Sequence, residues 1–260
     1  MQRIGKIRGV KGAASCCALA AIGYLAARSL LQAGVSFLMG LRVEGASLSN
    51  PVGFSPVEAE LLAMVASVAA ILLPILILLR LTRLRTDDLR LLLPAPWSPA
   101  FCTILFLGVA NAGNLFGGLL GHLLGRDGAA VSLPAGGAAL AVNFISLCVV
   151  PAILEELFFR GALQGLMRPS GSMAAIFGPA LLFGLLHLDL AQGLTAFVCG
   201  LFLGWLAERT GSVLPGMLLH FLNNTIAFCV TYLQAYAPGG VAMGTQLFVL
   251  LAFPPLALWM

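Results

Sequence analysis

Charge is what this chain has least of. Asp, Glu, Lys and Arg make up 9% of its 260 residues, against roughly a quarter in soluble domains, so a water-soluble globular fold is excluded. No long block of like charge occurs, and the net +4 carries no nucleic-acid footprint. The six cysteines, Cys16, Cys17, Cys102, Cys148, Cys199 and Cys229, lack zinc-type spacing and read as reduced thiols, mostly within apolar segments. No internal repeat is visible, which weakens an inverted-repeat transporter. Histidine is also scarce, at three residues.

Apolar sequence takes the place of charge. Hydrophobic residues account for 60% of the chain and mean hydropathy is +1.02. Runs of about 20 apolar residues, the length that spans hydrocarbon as a helix, recur throughout. The pattern predicts an all-α polytopic membrane protein of about eight transmembrane helices, near 13–41, 58–81, 99–124, 138–166, 174–188, 191–207, 213–233 and 241–259. If the spans alternate, the bases Arg3, Lys6, Arg8, Lys11, Arg80, Arg83, Arg85, Arg90, Arg160, Arg168 and Arg209 share one side. Arg42 and Arg126 fall on the other, and Arg28 lies inside a span. The positive-inside rule then puts both termini in the cytoplasm. The basic N-terminus resembles a signal peptide, but its apolar run is too long for one and reads as an uncleaved helix. Met1-Gln2 does not fit myristoylation, and the final residues offer no cysteine for prenylation.

Three regions follow. Residues 1–137 hold N-terminal transmembrane helices, with little chemistry and Gly/Ala content suited to close packing. They include a cytoplasmic, interface-hugging stretch rich in proline (Pro94, Pro96, Pro99), with Trp97 at headgroup level. Residues 138–233 form a helical core that carries the unusual polar residues. Residues 241–259 add a C-terminal helix.

In a bilayer each ionised side chain costs about 2.5–3.5 kcal/mol at a helix centre, so the polar cluster of the core needs a purpose. Glu156 and Arg160 stand four apart, on one helical face and in the favoured order. They read as a structural ion pair. Glu155 lies about 100° round the helix, beside Leu154, Leu157 and Phe158 and without an evident partner, which suits a general base. Pro151 removes a hydrogen bond to the Leu147 carbonyl and bends the helix near Glu155. His187 shares a face with Phe183. His220 has Asn223 and Asn224 on its own face, donors that suit either an oxyanion hole or interhelical hydrogen bonding. Depth constrains a single site. If span four surfaced at 158 and span five began at 172, Glu155 and His187 would differ by about 17 Å. They come level if span four surfaces near 163 and span five begins near 177.

The motifs Glu155-Glu156-x-x-x-Arg160, Phe183-x-x-x-His187 and His220-x-x-x-Asn224, in this order, resemble the CAAX protease and bacteriocin-processing family of intramembrane glutamic endopeptidases, Rce1-like proteins among them. The stretch 204–212 and Pro215 are similar too, so the resemblance covers about 150–228. It implies that Glu155, assisted by His187, activates a water for attack on a peptide carbonyl. It further implies that His220 and Asn224 hold the oxyanion, that Glu156 and Arg160 brace the site, and that no metal or other cofactor is needed. The implied partners are the lipid bilayer and a peptide or protein substrate, lipidated or unmodified. Glu208 and Arg209 read as structural residues at a helix end.

Two other classes stay open. Glu155, His187 and His220 could supply a two-histidine, one-carboxylate zinc site, although H-E-x-x-H is absent, as are G-x-S-x-G and G-x-G-D. The same fold could also serve as a non-enzymatic immunity factor or scaffold. The Ala-, Gly- and Leu-rich composition suits a bacterial plasma (inner) membrane.

Overall fold

The computed structural model describes residues 9–38, 54–82, 84, 86–125, 133–241, 243–245 and 247–248. Among them there is no strand, and the helices follow in the order α1 Gly9–Leu38, α2 Pro56–Thr82, α3 Pro99–Leu123, α4 Gly137–Ser170, α5 Ser172–Leu185, α6 Leu190–Thr210 and α7 Leu214–Tyr236. Six of these are long and apolar enough to cross a membrane; α5, at 14 residues, is not. This is an all-α, multi-pass membrane protein. The expected span 174–188 becomes a helix of about 21 Å, short of a hydrocarbon core of about 30 Å. The expected span 241–259 lies largely outside the described residues.

Lipid-facing composition appears as large exposed apolar side chains, among them Leu30, Phe37, Leu81, Phe116, Leu123 and Leu185. With apolar surroundings outside, helices associate through close packing of small residues rather than through hydrophobic drive. Gly113 and Gly117 bring α3 against Thr195 and Ala191 of α6; a Cβ at Gly117 would stand 2.5 Å from the Ala191 carbonyl oxygen. The α5–α6 crossing comes about as near to backbone contact. A Cβ at Gly184 would meet the Gly193 carbonyl at 2.6 Å, and one at Gly193 the Gly184 carbonyl at 2.8 Å. This crossing sits one turn before His187. Gly193→Val is expected to cost about 2–3 kcal/mol through overpacking, measured as thermal unfolding in detergent. Unchanged stability would mean that the helices do not meet there.

Local chemistry sets the helix ends. Ser55 and Glu58 form a capping box that starts α2: the Ser55 amide donates to Glu58 Oε2 at 2.8 Å, and the Glu58 amide to Ser55 Oγ at 3.3 Å. Asp189 caps α6 by accepting from the Gln192 amide at 2.7 Å. Gly211, at φ 69°, ends α6 in the left-handed conformation that glycine adopts freely.

Helix α4 is not uniform. It widens into π turns over Ile145–Val149 and Leu157–Leu163, either side of the segment that holds Pro151 and both glutamates. Such turns re-aim the side chains that follow and concentrate at functional sites. Pro151 has no N–H for the Leu147 carbonyl, and the Asn224 amide of α7 donates to that oxygen at 3.2 Å.

The stretch read as interface-hugging is tied to the α6–α7 turn. Ser212 Oγ donates to the Leu92 carbonyl at 2.6 Å. The Val213 amide reaches the Arg90 carbonyl at 3.1 Å, and the Ala95 amide the Thr210 carbonyl at 2.8 Å. Trp97 packs against the cluster of Cys102, Phe106, Leu203 and Leu219. Glu208 of α6 gathers Arg168 (2.8 Å), Arg90 (3.3 Å) and Gln164 (2.8 Å) at the same end. It thereby ties α4 and α6 to this stretch, a strap over residues 86–98.

Depth is reconciled differently from either expected arrangement. Helix α4 runs on to Ser170 and α5 starts at Ser172. Glu155 and His187 are equally far along the chain from that turn, so both lie about 22 Å from the basic end. No shift of the loop towards 177 is needed.

Candidate active site

The buried centre is an ion pair extended by an imidazole. Arg160 Nη1 donates to Glu156 Oε1 at 2.6 Å, with the two side chains 2% and 0% exposed. The same oxygen accepts from His220 Nδ1 at 3.0 Å. Space for the pair comes from glycines on two other helices. A Cβ at Gly216 would stand 2.9 Å from Glu156 Oε2, and one at Gly200 would stand 3.4 Å from Arg160 Nη2. The Phe183 ring fills the centre. Arg160 Cζ lies 4.6 Å from its centroid, His187 packs edge-on at 4.9 Å and His220 at 6.0 Å. One aromatic side chain thus fixes the guanidinium and both imidazoles.

Glu155 faces elsewhere, as its turn round the helix requires. Its side chain is 20% exposed, and its Oε2 is 3.9 Å from His220 Nε2. With Phe159 it forms the α4 wall of a cavity of about 30 Å³, completed by Phe183, Leu186 and His187 of α5 and by Tyr24 and Arg28 of α1. That volume suits about one water. His187 Nδ1 donates to the Phe183 carbonyl at 2.7 Å. A carbonyl only accepts, so Nδ1 carries the proton, and in the neutral ring Nε2 keeps its lone pair. Leu188, directly after His187, has φ 58°, an uncommon conformation for its side chain at the turn that ends α5.

Glu155 and His187 therefore meet, and Glu156, Arg160 and His220 form a second cluster joined to them through Glu155. Asn224 stands apart. Its amide is spent on the Leu147 carbonyl, and neither Asn224 nor His220 is among the residues that line the small cavity. Asn223 borders a larger groove of about 600 Å³ between α3 and α7, with Asn111, Asn114 and His122. That groove touches none of Glu155, His187 or His220; acid and imidazole converge instead on the small cavity. Among the described residues no three His, Cys, Asp or Glu side chains converge in a metal-holding arrangement. All six cysteines are reduced; Cys17, Cys102, Cys148 and Cys199 are buried, whereas Cys229 is exposed.

Tyr24 and Arg28 are the residues that sequence reasoning left out, having found little chemistry before residue 137. Their one signal was an arginine inside an apolar span, a feature that marks function by default.

Residues 137–226 match the model of the family described as Type II CAAX prenyl endopeptidase Rce1-like. No curated protein and no solved structure matches the chain.

Proposed function

We infer, from a chain whose residues 137–226 belong to the Type II CAAX prenyl endopeptidase Rce1-like family, an intramembrane glutamic endopeptidase. Its substrate is a membrane-associated peptide or protein, lipidated or unmodified. The observation that carries this reading is the water-sized cavity shared by Glu155 and His187, with the tautomer of His187 set by Phe183. Glu155 takes a proton from the water there, and His187 Nε2 orients that water and relays its second proton. The oxygen adds to the peptide carbonyl carbon. The proton held by Glu155 then passes to the amide nitrogen and the C–N bond breaks; the second water proton passes through His187 to the departing nitrogen, and a carboxylate and an ammonium leave.

Glu156 and Arg160 brace this arrangement by holding His220 at Nδ1. His220 and Asn224 remain the proposed oxyanion donors on the α7 side. With Nδ1–H directed at Glu156, His220 offers a donor at Nε2 only as the imidazolium. Asn224 keeps one amide proton beyond the bond it makes to Leu147. The excess of basic residues near 80–90, 168 and 209 supports a cytoplasmic position for that end and for both termini, in a bacterial inner membrane.

The test is proteolysis of a quenched-peptide library by the protein in liposomes. Cleavage is expected to fall at least 100-fold in His187→Ala and to ignore a strong chelator. Chelator-sensitive cleavage would replace this mechanism by a zinc-dependent one, and full activity in His187→Ala would remove that residue from the site.

A further inference from the structure

We propose that Arg28, one turn beyond Tyr24 on the same face, is a cationic oxyanion donor on the α1 wall of the catalytic cavity. The proposal rests on the glutamate-and-water reading above and adds a residue from outside the 137–226 family match.

Helix α1 climbs about 25 Å from Lys11 to Arg28, which is the level of Glu155 and His187. Tyr24 and Arg28 are four apart and share a face of α1. Tyr24 is anchored against the α4 core, its ring centroid 5.9 Å from that of Phe158. Both side chains border the cavity that Glu155 and His187 enclose. An arginine in an apolar span is costly unless it meets an anion. Among the described residues the ion pairs at this level run through Glu156, Arg160, His220 and Glu155, and not through Arg28. The guanidinium is thus free to serve a charge that arises in the cavity.

The reaction creates one. When the activated water adds to the peptide carbonyl, the oxygen of that carbonyl becomes an alkoxide beside the site of attack. On the α7 side the donors are partly committed, His220 Nδ1 to Glu156 and the Asn224 amide to Leu147. Arg28 needs no proton from the reaction to donate, because guanidinium stays charged throughout. The Tyr24 hydroxyl, one turn earlier on the same face and bordering the same cavity, is proposed to limit its rotamers. A donor that meets charge only in the transition state lowers kcat and leaves KM nearly unchanged.

Two readouts test this with the full-length protein in detergent. One is hydrolysis of a cleavable peptide. The other is binding of a phosphinate analogue of that peptide, whose tetrahedral anion mimics the intermediate. Arg28→Gln is expected to lower kcat by roughly 10²–10³, to leave KM within about twofold, and to weaken the phosphinate by a similar factor. Arg28→Lys is expected to recover part of both, which separates a missing charge from a misfolded protein; Tyr24→Phe is expected to give a smaller loss of the same kind. A rise in KM with kcat unchanged would overturn the proposal, since it would show uniform binding of an anionic substrate group. So would unchanged phosphinate affinity in Arg28→Gln. Glu155→Gln runs in parallel: if it keeps full activity the glutamate reading itself fails, whereas an inactive Glu155→Gln beside a fully active Arg28→Gln defeats this inference alone.

Discussion

Glu155→Gln is expected to lower peptide turnover by roughly 10³-fold or more, while thermal stability in detergent stays within about 0.5 kcal/mol of the parent. The amide keeps the shape of the carboxylate and removes its capacity to take a proton. Glu155 is 20% exposed and stands 3.9 Å from His220 Nε2, so the loss of its charge breaks no buried pair. Its neighbour responds in the opposite way. Glu156 is fully buried and bonded at one oxygen to both Arg160 and His220, so Glu156→Gln is expected to destabilise the fold together with the site. Two adjacent glutamates, one dispensable for folding and the other not, give a contrast that a merely structural polar cluster would not produce. If Glu155→Gln unfolds the protein while Glu156→Gln is inactive but stable, the two roles are exchanged.

The division between these glutamates was legible because it is local. A four-residue interval fixes which one faces Arg160, and the 2.6 Å bond needs nothing from the rest of the chain. The six long helices were legible too, from hydropathy that accumulates over twenty residues. What stayed hidden depends on contacts distant in sequence. Leucines continue past Leu185 at 186 and 188, with only His187 between them, yet α5 stops at Leu185, since Asp189 starts a new helix by capping α6. The level of Glu155 could not be set from composition, because Arg160, Gln164 and Arg168 look like a helix end. They are instead satisfied by Glu156, Glu208 and the strap, which lets α4 continue to Ser170. The strap itself is held by backbone carbonyls, which leave no trace in side-chain patterns. The contribution of α1 was hidden for the same reason. Tyr24 and Arg28 meet Glu155 only through tertiary packing, and no motif surrounds them.

Arg160→Met is expected to be the most damaging single change to the fold, at about 3–5 kcal/mol, because it leaves the Glu156 carboxylate buried and without its cation. The cost is raised by how little else is present to compensate. Glu156 Oε2 and Arg160 Nη2 already have no hydrogen-bonding partner among the described residues, so the pair depends on a single short contact, His220 and the face of Phe183. Removing both charges in a Glu156→Leu, Arg160→Met double variant is expected to recover most of that loss, as apolar replacements of buried pairs do when volume is kept. It should not recover activity. His220 would lose the acceptor that holds Nδ1, and its Nε2 would no longer be directed towards Glu155. Unfolding in detergent measured beside peptide turnover separates the two outcomes. A double variant that is stable but inactive identifies the ion pair as the element that positions His220. One that is stable and fully active would reduce it to a structural contact.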